Sequence, residues 1–433
     1  MAEEVIAAQV SPDFSYPQTL TWSESCSYTK THIGSSIISS FLSTLRESWH
    51  DPVLRHWRWS RLRGRVKPDT RSWPTRPGDQ AAEGAKLYRS GIAIGDEDKI
   101  ARGLRLLLTA ADQGLGASGI NLEGSTLRQV QLTRLFAEVW LAARESGRPE
   151  QWRLAALTRS VIGALDAVTL PGGLPDMGEA PEGLEYRDPF IPFDDTGRQA
   201  LDQLRRRAQL HDLEILREDG WLRLDVGPWS GLWHCPPGGW PTHEGLAHHD
   251  LGAPALHWQG VPLFVDPGPG RTAAKDHGGL SLNGEDPYPE NRPGYTDAFR
   301  HAEAGPAPEL RTIPQGVRLS MDGFGRFGGH RQIERYWRFD GSSLTVEDIV
   351  LGTGRPRIER RLITPWVANQ TEAGVILSHG PDQLLVSGDA PVSVTPATRL
   401  NERGDELPLS VIKFTVRPTL PWKGSFSIRP VSA

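Results

Sequence analysis

Cysteine is nearly missing from this chain. Cys26 and Cys235 are the two in 433 residues. They stand far apart with no CxxC spacing, which excludes a disulfide framework and reads as two reduced thiols. No apolar run approaches the ~18 residues needed to cross a bilayer. The opening MAEEVIAAQV has neither a basic n-region nor an apolar h-region. The expectation is therefore a cytoplasmic protein with no membrane partner. An excess of basic charge is lacking too. Lys and Arg number 48 against 53 Asp and Glu, a net charge of -5, so nothing suggests a protein that neutralises a nucleic-acid backbone. Weak acidity does not exclude an anionic substrate, because a site can be locally basic. A homo-oligomer is left open. Tyrosine is scarce, 7 residues beside 15 Trp. Tryptophans make sugar-binding platforms and core filler alike, and their number does not choose between the two.

What is there falls into two halves. The first reads as helices joined by loops. In IGSSIISSFLSTLRESW, Ile33, Ile37, Ile38, Phe41 and Leu45 recur at helical spacing. Residues 50–90, rich in Arg, Trp, Pro and Gly, read as loop. Helical periodicity returns over about 99–114, ending at Gly114. It returns over 125–147, with Ser125 as N-cap and Gly147 after the last turn, and over 150–168. A more charged helix is expected near 196–217. From Trp221 the pattern changes to short alternating runs bounded by Gly or Pro: WLRLDV, ALHWQGVPLFVD, LSLNG, GVRLSMDGFG, IERYWRFDGSSLTVEDIV and others. That pattern predicts antiparallel sheets, with turns at Asn283-Gly284 and Asp340-Gly341. The expected fold is α+β and multidomain. Residues 1–210 would form a shortened helical domain like an incomplete α/α-toroid, and 211–433 an antiparallel β-sandwich.

The chemistry gathers between Trp240 and Asp286. With His234 just before it, this stretch brings His243, His248, His249, His257 and His277 together, six of the 13 histidines, along with Asp250, Asp266, Asp276, Glu244 and Arg271. His248 and Asp250, two apart, share a face in extended chain, and His249 points the other way. Asp266 ends an apolar strand and His277 opens another. Imidazole nitrogen and carboxylate oxygen suit zinc or a similar divalent ion. The best ligand set is His248, Asp266 and His277, with Asp250 a fourth ligand or a partner that orients an imidazole. The competing reading is a polar rim of surface histidines with Asp266 capping a turn. His257 reads as exposed, or buried with one hydrogen bond. His330 and Arg331, at a strand start, could face the same cleft.

The segments AHHDLGAPALHWQGVPLFVDPG, KDHGGLSLNGED and HRQIERYWRFDGSSLTVEDIV resemble the heparinase II/III-like polysaccharide lyase family. Order and spacing agree over about 240–350. A helical stretch around Glu123-Gly124-Ser125 resembles the family's Glu-x-Ser segment, so the likeness covers about two thirds of the chain. The resemblance implies an α/α-toroid joined to a β-sandwich, with a cleft between them. It implies zinc on His248, Asp266 and His277, and β-elimination on a uronate-containing saccharide. In the family an Asn or His masks the uronate carboxylate and a Tyr with a His moves protons. This chain departs from that pattern. Arg128 and Gln129 stand where the Tyr-His pair would fall, and a guanidinium is a poor base that can bind a carboxylate. Leu246 replaces a catalytic His, leaving His243 the nearest substitute. Thr31-His32 matches the family's Asn-His helix start, and Gly278-Gly279 replaces Asn-Thr.

The leading expectation is a metal-containing carbon–oxygen lyase, or an enzyme derived from one, for an anionic saccharide or related small substrate. Arg128 would bind the anionic group, with Glu123 beside it. His32 and His243 would be acid and base. Tyr28 or Tyr88 would stand in for the missing tyrosine. Arg271, His249, His330 and Arg331 would contact substrate. Two alternatives remain open: another metal-dependent tailoring enzyme of a natural-product or surface-glycan pathway, and a non-catalytic carbohydrate-binding or assembly protein.

Overall fold

The computed structural model describes residues 75–433 except 183, 185–186, 209–212, 238, 241–245, 271–275, 290–291, 328–330, 401–405 and 432–433. All lie in the compact unit Trp57–Ala433. Among the described residues six helices come first: α1 Pro77–Ile94, α2 Glu97–Gly114, α3 Thr126–Glu145, α4 Gln151–Val168, α5 Asp195–Arg206 and α6 Leu213–Glu218. Their starts follow side-chain chemistry. Asp96, Ser125 and Asp194 each accept a backbone N–H of the first turn, worth about 1 kcal/mol apiece.

Over residues 77–90, helix α1 corrects the expectation of a loop across 50–90; residues 50–74, and the helix expected at Ile33–Leu45, lie outside the described residues. Its glycines look like breakers in sequence, but they serve contact. A Cβ on Gly84 would lie 2.9 Å from the Gly103 carbonyl of α2, and one on Gly103 would lie 2.4 Å from the backbone nitrogen of Tyr88. The two backbones approach too closely for side chains at these points. Tyr88 and Leu107, both fully buried, fill the space beside the contact. The charged helix expected near 196–217 is divided into α5 and α6.

Strands begin at Trp221. One four-stranded sheet has the order β1 (Trp221–Val226), β2 (Trp229–His234), β3 (Ala255–Trp258), β4 (Val261–Phe264). The run ALHWQGVPLFVD is thus two strands rather than one. Gln259 (φ 49°) and Gly260 (φ 79°) turn it back on itself. The remaining elements are β5 Gly279–Leu282, α7 Asp297–Ala304, β6 Glu309–Ile313, β7 Gly316–Met321, β8 Ile333–Asp340, β9 Ser343–Val350, β10 Ile358–Thr364, β11 Val367–Thr371, β12 Gly374–His379, β13 Asp382–Gly388, β14 Val392–Leu400, β15 Glu406–Val416 and β16 Trp422–Pro430. They form a four-stranded sheet, β14-β15-β10-β5, and an eight-stranded one, β11-β12-β13-β16-β9-β8-β7-β6. Every pairing is antiparallel. Strands β8 and β9 alternate buried with half-buried or exposed residues as period two requires.

Trp221, Trp229, Trp233, Trp240, Trp258, Trp337 and Trp366 are all buried, so these seven tryptophans are core filler. Trp229 meets Trp258 edge-on at 4.8 Å. Among the described residues no helix is long and apolar enough to cross a membrane.

The α1–α2 contact generates a stability prediction. Gly103→Ala forces a methyl into unyielding backbone and is expected to cost about 2–3 kcal/mol. Gly95→Ala, at a left-handed C-cap (φ 71°) in open space, is expected to cost about 1 kcal/mol. Urea denaturation of both variants checks the order; an equal loss would argue against the close approach.

Candidate functional site

Strand β10 acts as a rail for two of the site's residues. Strand β5 pairs with its first half, Leu282 opposite Ile358 through Gly279 opposite Arg361. Farther along the same strand, Val265 donates its N–H to the Ile363 carbonyl at 3.0 Å. Asp266, next to Val265, and His277, two residues before β5, are thereby brought together. His248 arrives on the β2–β3 loop. Leu246 donates its N–H to the Glu123 carbonyl (2.8 Å) and accepts from the Glu179 N–H (2.7 Å). The loop is threaded between the start of α3 and the long connection from α4 to α5.

That threading is tight. Gly124 (φ 77°) has no room for a Cβ, which would lie 2.5 Å from that of Ala247. One on Gly178 (φ 81°) would lie 2.5 Å from the Gly124 carbonyl and 2.7 Å from that of Leu246. Both positions need glycine for conformation and for space. Ser125, capping α3, donates its hydroxyl to the Glu179 carbonyl at 2.7 Å.

His248, Asp266 and His277 form a buried cluster that could coordinate a divalent ion. Their ligand atoms lie within 4.8 Å of one another. His248 is fully buried, His277 is 1% exposed and Asp266 8%, so the surface-rim reading is overturned. Asp266 Oδ2 lies 3.0 Å from His277 Nδ1 and 3.4 Å from His248 Nδ1. Asp266 Oδ1 accepts the Gly268 N–H at 2.7 Å. The second nitrogen of His248, Nε2, lies 3.2 Å from Glu179 Oε1. Both Glu179 oxygens accept the Gly270 N–H, at 3.0 and 2.9 Å.

The charges answer to these contacts. Burial opposes a proton on His248, but its hydrogen bonds to Asp266 and Glu179 prevail and raise it to about 10. Burial also opposes a proton on His277, and Asp266 prevails there too. Burial works against the Asp266 carboxylate, yet the two histidines hold it below the usual range. Glu179 is lowered by its bond to His248. Asp250 is buried nearby and raised by that burial; the three-residue ligand cluster does not include it.

The other candidates separate. Arg128 is fully buried and committed. Its Nε donates to Glu123 (3.1 Å), Nη2 to Asp79 (2.6 Å) and Nη1 to Gln131. The expectation that it binds an anionic group is corrected, because a guanidinium deprived of water is satisfied by its own carboxylates. Glu123 turns its carboxylate into this network, where Gly78 also donates to it at 2.6 Å. Only its backbone reaches the β2–β3 loop. Tyr88 is fully buried and donates its hydroxyl to Glu150 at 2.7 Å, so it does not replace a catalytic tyrosine. His249 stacks on Tyr288, ring centroids 4.6 Å apart. Arg331 is half-buried before β8. His257 is buried and accepts the Gly172 N–H at 3.1 Å. Tyr28, His32, His243, Arg271 and His330 lie outside the described residues. Sequence reasoning missed Glu179. It sits in an irregular stretch, DMGEAPEG, whose length between α4 and α5 was its one signal.

A cavity of about 20 Å³ on the sheet side is lined in part by Asp266, His277, Arg335 and Arg361. It is the size of a water, far too small for a sugar ring. Glu179 is partly exposed, its side chain 25% accessible.

No family profile and no curated protein matches the sequence. Among solved structures the chain is similar to the heparan sulfate lyase of Pedobacter heparinus, at 13% identity and TM-score 0.56, over 82% of this chain and 60% of that one. It is similar to heparinase III at 12% identity and TM-score 0.61, over 84% and 62%. A heparinase III gene product matches at 12% and 0.56, over 87% and 62%. At these identities the likeness is one of fold: a helical region followed by antiparallel sheets. The chain spans about three fifths of the length of these relatives.

Three histidines that burial keeps neutral set a pH dependence. Burial lowers His234 and His249 to about 3 and His257 to about 4, against about 6.5 in the unfolded chain. As pH falls below 6.5 the unfolded state takes up protons that the native state refuses, so stability falls by up to about 1.4 kcal/mol per pH unit for each group. His248 is protonated in both states there; its contribution is lost instead as pH rises from 6.5 through about 10. Urea unfolding of metal-free protein at pH 7, 6 and 5 should show the acid loss, and His257→Gln should shallow it by one proton. Parallel curves would sink this assignment.

Proposed function

We propose that the chain is a lyase-type enzyme that performs β-elimination on an anionic, uronate-like saccharide or a related small substrate. The site would be a cleft between an incomplete toroid of helices and a β-sandwich, with His248, Asp266 and His277 holding a divalent ion, zinc by their chemistry. The observation that carries this reading is the buried cluster of two imidazoles and one carboxylate on a lyase-like fold. The donor set fits the ion. Asp266 Oδ1 is occupied by a backbone N–H, so Oδ2 is left for the side that both imidazoles face. Held there, a dication would supply the positive charge that organises the sandwich end of the proposed cleft.

The reaction sets the demands on the protein. A base takes the proton from the carbon next to the carboxylate, and its electron pair becomes the ring double bond. The neighbouring carbon–oxygen bond breaks and the leaving oxygen takes a proton. The first step is easy only if the carboxylate charge is masked. His32, His243 and Tyr28 are the proposed proton-transfer groups. Arg271, His249, His330 and Arg331 are proposed to contact substrate. The commitment of Arg128 to Glu123 and Asp79 favours one second reading, a different metal-dependent tailoring enzyme on the same scaffold.

Two measurements test this. Native protein is expected to carry one ion per chain, and His248→Ala and His277→Ala to lose it; unchanged metal content in both variants would refute the ligand assignment. Metal-loaded protein is then offered a panel of uronic-acid oligomers while the ultraviolet absorbance of an unsaturated uronate is followed. A rise supports the lyase, and silence across the panel turns the assignment to the second reading.

A further inference from the structure

The His248 ring is addressed from both ends. Its Nδ1 faces Asp266 Oδ2 at 3.4 Å, the same oxygen that lies 3.0 Å from His277 Nδ1. Its Nε2 faces Glu179 Oε1 at 3.2 Å. An imidazole that ligates through one nitrogen carries its proton on the other, and whatever accepts that proton's hydrogen bond decides which nitrogen is free. The Nδ1 atoms of His248 and His277 both face the one Asp266 oxygen, within the three-residue cluster, so the Nδ1 side is taken as the ligand side and Nε2–H as the donor.

We infer that Glu179 is the positioning residue of this site: it accepts the Nε2–H of His248 and so turns Nδ1 toward the ion, letting a strap from the helical region set a site whose ligands all come from the sheet region. The inference rests on the metal reading above. Glu179 is itself held at three places. Its carboxylate takes the Gly270 N–H on both oxygens, its backbone N–H binds the Leu246 carbonyl, and its carbonyl takes the Ser125 hydroxyl. Gly178, beside it, crosses the Gly124 and Leu246 carbonyls at distances no side chain tolerates. The strap therefore cannot slide without moving the segment that carries His248. The ring also packs against His277, with centroids 4.8 Å apart and tilted by 44°. That contact does not distinguish a ring from its flipped form, whereas an acceptor opposite Nε2 does.

The test is zinc affinity by chelator competition for native protein, Glu179→Ala and Glu179→Gln, with the visible spectrum of each cobalt-substituted form. Glu179→Ala is expected to weaken binding about 10- to 100-fold. Glu179→Gln, whose amide oxygen accepts the same N–H, should stay within about 3-fold of native. The cobalt spectra should keep one coordination number throughout, a readout that general loosening of the fold would not preserve. Three results overturn the inference. Glu179→Ala binding like native overturns it alone. Equal losses in both variants with a changed cobalt coordination number make Glu179 a ligand instead. Native protein that binds no ion overturns the metal reading and this inference with it.

Discussion

Asp266 is a carboxylate almost out of water, and its negative charge has to be met inside the protein. Two imidazoles meet it from one side and a backbone N–H from the other. Without an ion, protons on the histidines supply the balancing charge, which is why His248 and His277 are raised and Asp266 is lowered. A dication in the same place would do the work of two such protons, so its binding would exchange one set of positive charges for another. The turns around it serve the same end. Gly268 and Gly270, both at positive φ, offer their N–H groups to Asp266 and Glu179.

The junction of helices and sheets is built around this cluster. Residues 123–126, 177–179 and 246–248 cross at contact distance. The Glu-Gly-Ser segment has a structural task in that crossing. Glu123 offers its carbonyl to Leu246, Gly124 makes room, and Ser125 caps α3 while holding Glu179. This task needs no tyrosine three residues after Ser125, and the arginine there has been drawn inward as a structural ion. The strap is also tied farther along, where Asp176 pairs with Arg187 and, at 3.5 Å, with Arg399 of β14. An enzyme on this scaffold has to find its proton-transfer groups elsewhere.

The sequence by itself determined what periodicity and local chemistry can encode: three of the helices, the Ser125 cap of one of them, the change to alternating strands near 221, and His248, Asp266 and His277 as the best ligand set. Its silences have one common cause. Glycines in α1 look like breakers until a neighbouring backbone passes within their reach. WSGLWH shows no alternation because all six of its residues are buried. Glu179 is one acid in an irregular loop until its carboxylate meets His248 across 69 positions of chain. Arg128 looked like a free cation until Asp79, 49 positions away, claimed it. Spacing along the chain fixes which faces residues share. Which partner waits on the far side, and so whether a charge is free or spent, was decided only by tertiary structure, because those contacts are set by close packing between distant segments.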